Sequence, residues 1–211
     1  SFNYQIVNYT MIQEYQFAIN LIAGVFLAVA QSIYLIQVLK KQITPSLLTW
    51  FGWSILVTVA LVSQIIEYGW DWTLTGHLFA AFGCTFIFLS AFLTKNFAMR
   101  SQDWKFLYLG LVCVALYIIF SDPWLTTIFA ILADLVLGIP TLIKGVKSPK
   151  TEKSIGWNIA LVCWTLTLLT CLDNNVIFFL FPFYCLLFNV SMSYLTRAKR
   201  ILAMEKISIQ G

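Results

Sequence analysis

Residues 138–157 read GIPTLIKGVKSPKTEKSIGW. A continuous apolar run meets Pro140-Thr141, then four lysines (Lys144, Lys147, Lys150 and Lys153), then Trp157, which opens another apolar run. Proline inside a helix removes one backbone hydrogen bond and crowds the preceding turn, so it bends or stops the helix. Lysines beside an apolar run fix which side of a bilayer that end faces, and they meet anionic headgroups. The stretch reads as a basic turn between two membrane helices, with a hinge or a stop at Pro140.

The rest of the chain repeats that pattern. Of 211 residues, 60% are hydrophobic, 17% aromatic and only 10% charged, and the mean hydropathy is +0.85. A soluble core of this length could not hide so much apolar surface, so lipid must be the solvent. Apolar runs predict seven spans, at 17–39, 47–66, 75–94, 104–120, 124–143, 154–172 and 175–195. Each must be a helix, because an unpaired backbone group in hydrocarbon is costly. The runs do not alternate, which excludes barrel strands. The expected fold is an all-α membrane protein of seven transmembrane helices.

All 13 Lys and Arg fall on one face of that topology. The other face carries Glu14, Glu67, Asp71, Asp122 and Asp173. Basic loops stay inside, so the N-terminus is expected outside and the C-terminus, with its basic tail 196–211, in the cytoplasm. The net charge of +4 then reports orientation and implies no nucleic-acid partner. Residues 1–16 carry no basic stretch of a cleavable signal. Trp50, Trp53, Trp70, Trp72, Trp104, Trp124 and Trp157 lie near span ends and read as interfacial anchors. The five cysteines lie inside helices in no metal-ligand or disulfide spacing.

A shift of 107 residues lays YLIQVLKKQITPSLLTWFGW over TLIKGVKSPKTEKSIGWNIA, matching Lys40 to Lys147, Thr44 to Thr151 and Trp50 to Trp157. Helices 3 and 7 also end alike, in FLTK (92–95) and YLTR (194–197). The chain divides into a first three-helix repeat (17–94), a linker helix (104–120) and a second three-helix repeat (124–195) in a 3+1+3 arrangement. Such parallel duplication is a transporter plan with the binding site between the halves.

The helix ending in Pro140-Thr141, its basic loop and the polar-aromatic restart at Trp157 resemble the PQ-loop/SWEET superfamily. That group includes sugar transporters, cystinosin-like exporters and PnuC-type vitamin transporters. The form here is similar to bacterial PQ-loop-like membrane proteins, which implies a bacterial inner (cell) membrane location. No Pro-Gln occurs in the chain, and Ile33-Tyr34 stands where the first repeat would carry its proline. The resemblance implies a solute-gripping Asn on helix 7, which is Asn189, and a Trp on helix 6, which is Trp164. Helix 3 has no matching Asn, since Ile87 stands at that place.

Asp134, in FAILADLVLGIP, is the only ionisable side chain expected at mid-bilayer depth. A carboxylate there costs roughly 2.5–3.5 kcal/mol on insertion scales, and such groups usually face a cavity or a relay. Kept from water it favours its protonated form, which suits it to bind and release a proton. The plainer alternative is a protonated acid bonding a neighbouring carbonyl. Asn158, Thr85 and Gln31, with Thr58 and Thr165, could line the same space or act as glue between helices. Pro140 and Thr141 are the candidate hinge or gate, with simple termination of helix 5 as the alternative.

A retinal protein would need a lysine in the last helix, and 175–195 has none. An enzyme would need paired acids, a nucleophile set or metal ligands, so no enzyme, catalytic residue, metal or cofactor is expected. Two functions remain. One is a secondary transporter of a small polar solute such as a sugar, amino acid or vitamin, with protons coupled through Asp134. The other is a non-transporting receptor of the same fold that binds a small ligand or a sorting peptide. The expected partners are the solute, the lipid bilayer and protons, with room for a homo-oligomer.

Overall fold

The computed structural model describes residues 2–70, 74–120, 122–171 and 176–197, with side chains from Tyr15 onward. Asp71, Trp72, Asp173, the tail from residue 198, and the side chains of Glu14 and Glu67 lie outside the described residues. The described chain is helical: α1 (Phe2–Leu39), α2 (Leu47–Tyr68), α3 (Thr75–Leu93), α4 (Asp103–Ile119), α5 (Pro123–Lys147), α6 (Gly156–Thr170) and α7 (Val176–Leu195). A 3-10 turn, Pro149–Glu152, connects α5 to α6.

Four helical stretches are long and apolar enough to cross a membrane: Tyr15–Leu39, Leu47–Ile66, Thr75–Leu93 and Trp124–Lys147. Their apolar side chains point outward as well as inward. On α1, Ile22, Val29 and Ile36 recur every second turn and stand 50%, 44% and 47% exposed, as a lipid-facing stripe would. The 15 residues of α6 span only about 22 Å at 1.5 Å per residue, so this helix is shorter than the expected 154–172. In the other direction, α1 starts at Phe2 and not at 17.

Local chemistry sets several ends. Asp122 caps α5, its Oδ1 accepting the N–H groups of Trp124 and Leu125 at 3.0 Å each, with Pro123 at the first helical position. At the other end α5 does not stop at Pro140 but continues to Lys147. A single proline orphans one carbonyl four residues back, and Lys144 and Lys147 in the last turn favour the negative end of the helix dipole. Termination of the helix by Pro140 is therefore excluded. Helices α1 and α3 both close with a lysine in the left-handed region, Lys41 (φ 54°) and Lys95 (φ 51°). In each case the next N–H reaches back to the last turn, Gln42 to Gln37 O at 2.9 Å and Asn96 to Ala91 O at 3.0 Å.

Tertiary contacts run from α1 to α6, α7, α5, α2 and α3 and back to α1, a closed ring of six helices. Helix α4 stands outside the ring against α5 and α2. Its docking point is Leu137, 1% exposed. A Cβ on Gly52 of α2 or on Gly110 of α4 would overlap this side chain. We expect Gly110→Val to lose about 1–3 kcal/mol through overpacking, and Leu137→Ala on the same chain to restore part of the loss. Thermal melts in detergent read both; an unchanged melt for Gly110→Val would show that α4 docks elsewhere.

The loops at the basic end interlock. Leu47 N–H donates to Ala98 O at 3.0 Å, Ala98 N–H to Pro45 O at 2.8 Å, and Thr44 N–H to Thr151 O at 2.9 Å. The Asn96 amide donates to Val38 O and Ile43 O at 2.8 and 2.9 Å. This rim holds the basic ends of α1, α2, α3 and α5 in fixed register.

Candidate functional site

Inside the ring lies a cavity of about 210 Å³ to which α1, α2, α3, α5, α6 and α7 all contribute. Drug-sized pockets run to roughly 300–1,000 Å³, so the space suits a smaller molecule. It extends from the level of Asn20, Gly76 and His77, at the end opposite the basic loops, down to Tyr34, Trp50 and Trp157.

Those three rings form its floor. Tyr34 packs 4.8 Å from Trp50 and 5.6 Å from Trp157 between centroids. Trp53, 5.2 Å from Trp50, and Phe188, 5.5 Å from Trp53, extend the layer. Trp50, Trp53 and Trp157 are 4%, 7% and 6% exposed, so they are not the interfacial anchors expected from their place near span ends. The side of the helix that they occupy is the inner one. Trp70, Trp104 and Trp124 do stand exposed.

Asp134 lines the cavity halfway along α5. The Tyr184 hydroxyl donates to its Oδ2 at 2.7 Å, and the Trp53 indole N–H donates to its carbonyl oxygen at 3.1 Å. Among the described residues the ion pairs are Arg100–Asp103 and Lys144–Glu152, so no protein cation answers this carboxyl. The Tyr184 bond also ties α7 to α5, so the acid joins two helices as well as facing the cavity.

The cavity brings together four of the expected polar residues: Asp134, Asn189, Trp164 and Gln31. Asn189 is buried and donates to Cys185 O at 2.8 Å, one turn back in its own helix. Gln31 donates to Ala80 O at 3.5 Å while its Oε1 finds no partner. Trp164 meets Phe181 edge-on at 6.2 Å. Asn158 and Thr85 do not join them. Trp157, Ala160, Cys163, Trp164 and Thr167 mark the inward face of α6, and Asn158 lies one residue off it and is exposed. Thr85 is likewise one step past the lining residue Cys84 and is only half-buried. Thr58 and Thr165 are exposed. Pro140 and Thr141 are buried in α5 outside the cavity lining, and the Thr141 hydroxyl has no partner among the described residues. His77 and Tyr184 were not anticipated here; Tyr184 could have been sought as a hydroxyl in α7 at the depth of Asp134.

Beneath the floor is a second buried charge that the sequence reading missed. Glu152 is fully buried. Its Oε1 pairs with Lys144 Nζ at 2.8 Å, its Oε2 accepts from the Tyr34 hydroxyl at 2.6 Å, and its carbonyl accepts from the Trp157 indole at 3.1 Å. Lys144 Nζ also donates to Thr44 O. Burial pushes the Glu152 carboxyl above its ordinary range, while the Lys144 charge and the bonds from Lys144, Tyr34 and the Ser46 N–H pull it back down. Lys144, 8% exposed, is thus no headgroup lysine, unlike the exposed Lys147, Lys150 and Lys153. The signal available was that Glu152 is the lone acid among four lysines.

No family model matches the chain, and comparison with curated proteins and with solved structures likewise finds no match; what it does has to be argued from the cavity itself.

Proposed function

We propose that the chain is a secondary transporter that carries a small polar solute across a bilayer by alternating access, with Asp134 exchanging a proton. The observation that carries this reading is a carboxyl, midway along a helix long and apolar enough to cross a membrane, that faces a cavity inside a six-helix ring closed at the basic end by the Tyr34–Trp50–Trp157 layer. Intramembrane acids are retained chiefly where they serve a path or a relay.

All seven helices cross the membrane in this reading, N-terminus outside and basic loops in the cytoplasm, in a bacterial inner membrane. The 3+1+3 repeat is supported by the contact pattern. Matching α1, α2 and α3 to α5, α6 and α7 pairs α1–α6 with α5–α2, α1–α3 with α5–α7, and α2–α3 with α6–α7, and all six contacts exist. Equivalent residues also meet across the middle: Thr44 bonds Thr151, and Trp50 lies 6.4 Å from Trp157. Two like halves around one site are the geometry in which one half can rock against the other. The aromatic layer is then the inner gate, and Pro140 lies in the α5 segment that moves with it.

A peptide-sorting receptor would want a cation in its cavity for a terminal carboxylate, and no Lys or Arg is among the described lining residues. Uptake of labelled sugars, amino acids and vitamins into proteoliposomes separates the two. Saturable uptake of one class over empty liposomes is expected; a ligand that binds the purified protein but never enters the lumen would favour the receptor.

A further inference from the structure

Resting on that reading of the cavity as the transport site, we propose that its solute is a small monovalent organic cation with an apolar or ring-bearing body, bound between Asp134 and the aromatic walls. Among the described residues Asp134 is the one carboxylate in the lining, and no Lys or Arg faces it. Tyr184 occupies Oδ2 at 2.7 Å, and no bond to Oδ1 is formed among the described residues. The Trp53 indole N–H is tied to the same residue's carbonyl oxygen, which holds this ring next to the acid. Trp164, Trp50 and Trp157 add three more aromatic walls. A cation over an indole face gains about 2 kcal/mol when both are desolvated, and a lone carboxylate adds the charge pairing that a neutral sugar cannot use. An anion would meet repulsion from both Asp134 and the negative ring faces.

The same geometry explains coupling. The carboxyl can hold a proton or pair with the bound cation, not both, so each solute entering the site displaces one proton. The other titratable groups around this space are His77 and Cys84 from α3, Cys163 from α6, Tyr184 and Cys185 from α7 and Tyr34 from α1. Among the described residues, helix α2 contributes no titratable side chain to the lining and α4 contributes nothing. None of these groups is an acid of carboxylate strength, and His77 is the described one among them whose charge ordinarily changes near neutrality, so competition between proton and cation that persists in His77→Gln is expected to track Asp134.

Thermal stabilisation and tryptophan fluorescence of the purified protein test this with benzyltrimethylammonium, benzyl alcohol and benzoate as probes. We expect the cation to bind at least about tenfold more tightly than either other probe, a gap of 1.4 kcal/mol or more. Acidification should weaken the cation and leave benzyl alcohol unaffected, and Asp134→Asn should erase the preference. If that variant fails to fold, the pH series on the native protein decides alone. Equal binding of all three probes, or cation binding indifferent to pH, overturns the inference. Preferred binding of a neutral solute that is also transported would sink it while leaving the transport reading intact. Cation binding without flux would do the reverse.

Discussion

Replacing Glu152 by alanine is expected to cost the fold roughly 3–5 kcal/mol, the range for stranding one partner of a buried ion pair, seen as a melting-temperature drop of about 6–20 °C. The substitution leaves Lys144 Nζ with only the Thr44 carbonyl, and it removes the acceptor of the Tyr34 hydroxyl. Both groups are buried, so water cannot compensate. A neutral set tells the electrostatic part from the packing: Lys144→Met with Glu152→Leu and Tyr34→Phe should recover most of the loss, because apolar groups replace the desolvated pair and the hydroxyl bonded to it at little net cost. A fall below about 1 kcal/mol for Glu152→Ala, the size of an exposed pair, would mean that water reaches the site. The tie also has a functional side. It joins α1, the α1–α2 loop, α5 and the turn before α6 beneath the aromatic floor, so transport through the basic end has to release or carry it.

The second large effect is expected in flux. Asp134→Asn should abolish accumulation driven by a pH gradient, a fall of at least about tenfold that corresponds to losing roughly 1.4 kcal/mol or more of coupling. Downhill exchange should persist at saturating solute, with weaker affinity, because asparagine is nearly the same shape and can still accept from Tyr184. Removing the hydroxyl instead, in Tyr184→Phe, should leave coupling in place, since the carboxyl remains. Undiminished accumulation in Asp134→Asn under every gradient would end the proton-carrier role.

Helix existence was legible in this chain because the apolar runs are long and lipid leaves no other backbone solution. The side of each helix was not. A helix in lipid is apolar all round, so the amphipathic stripe that tells inside from outside in a soluble protein is lost. That is why Trp50 and Trp157 read as anchors and turned out to be core, and why Asn158 and Thr85, each one residue off an inward face, were grouped with Asp134. A charge at mid-depth needs no such stripe: Asp134 has an environment only if it faces inward, and it does. Glu152 escaped because it sits in a basic loop, where lysines ordinarily signal topology, and its burial follows from the 3-10 turn folding back under Tyr34. Lys144 was misread for the same reason.

The exchange of solute for proton is measured most directly by luminal pH. Proteoliposomes loaded with a pH-sensitive dye, with no gradient imposed, should alkalinise inside as a transported solute is added outside, with protons leaving as the solute enters, one for one. The signal should vanish in Asp134→Asn. Solute entry with no change in luminal pH would contradict the account, as would an unchanged proton signal in the variant.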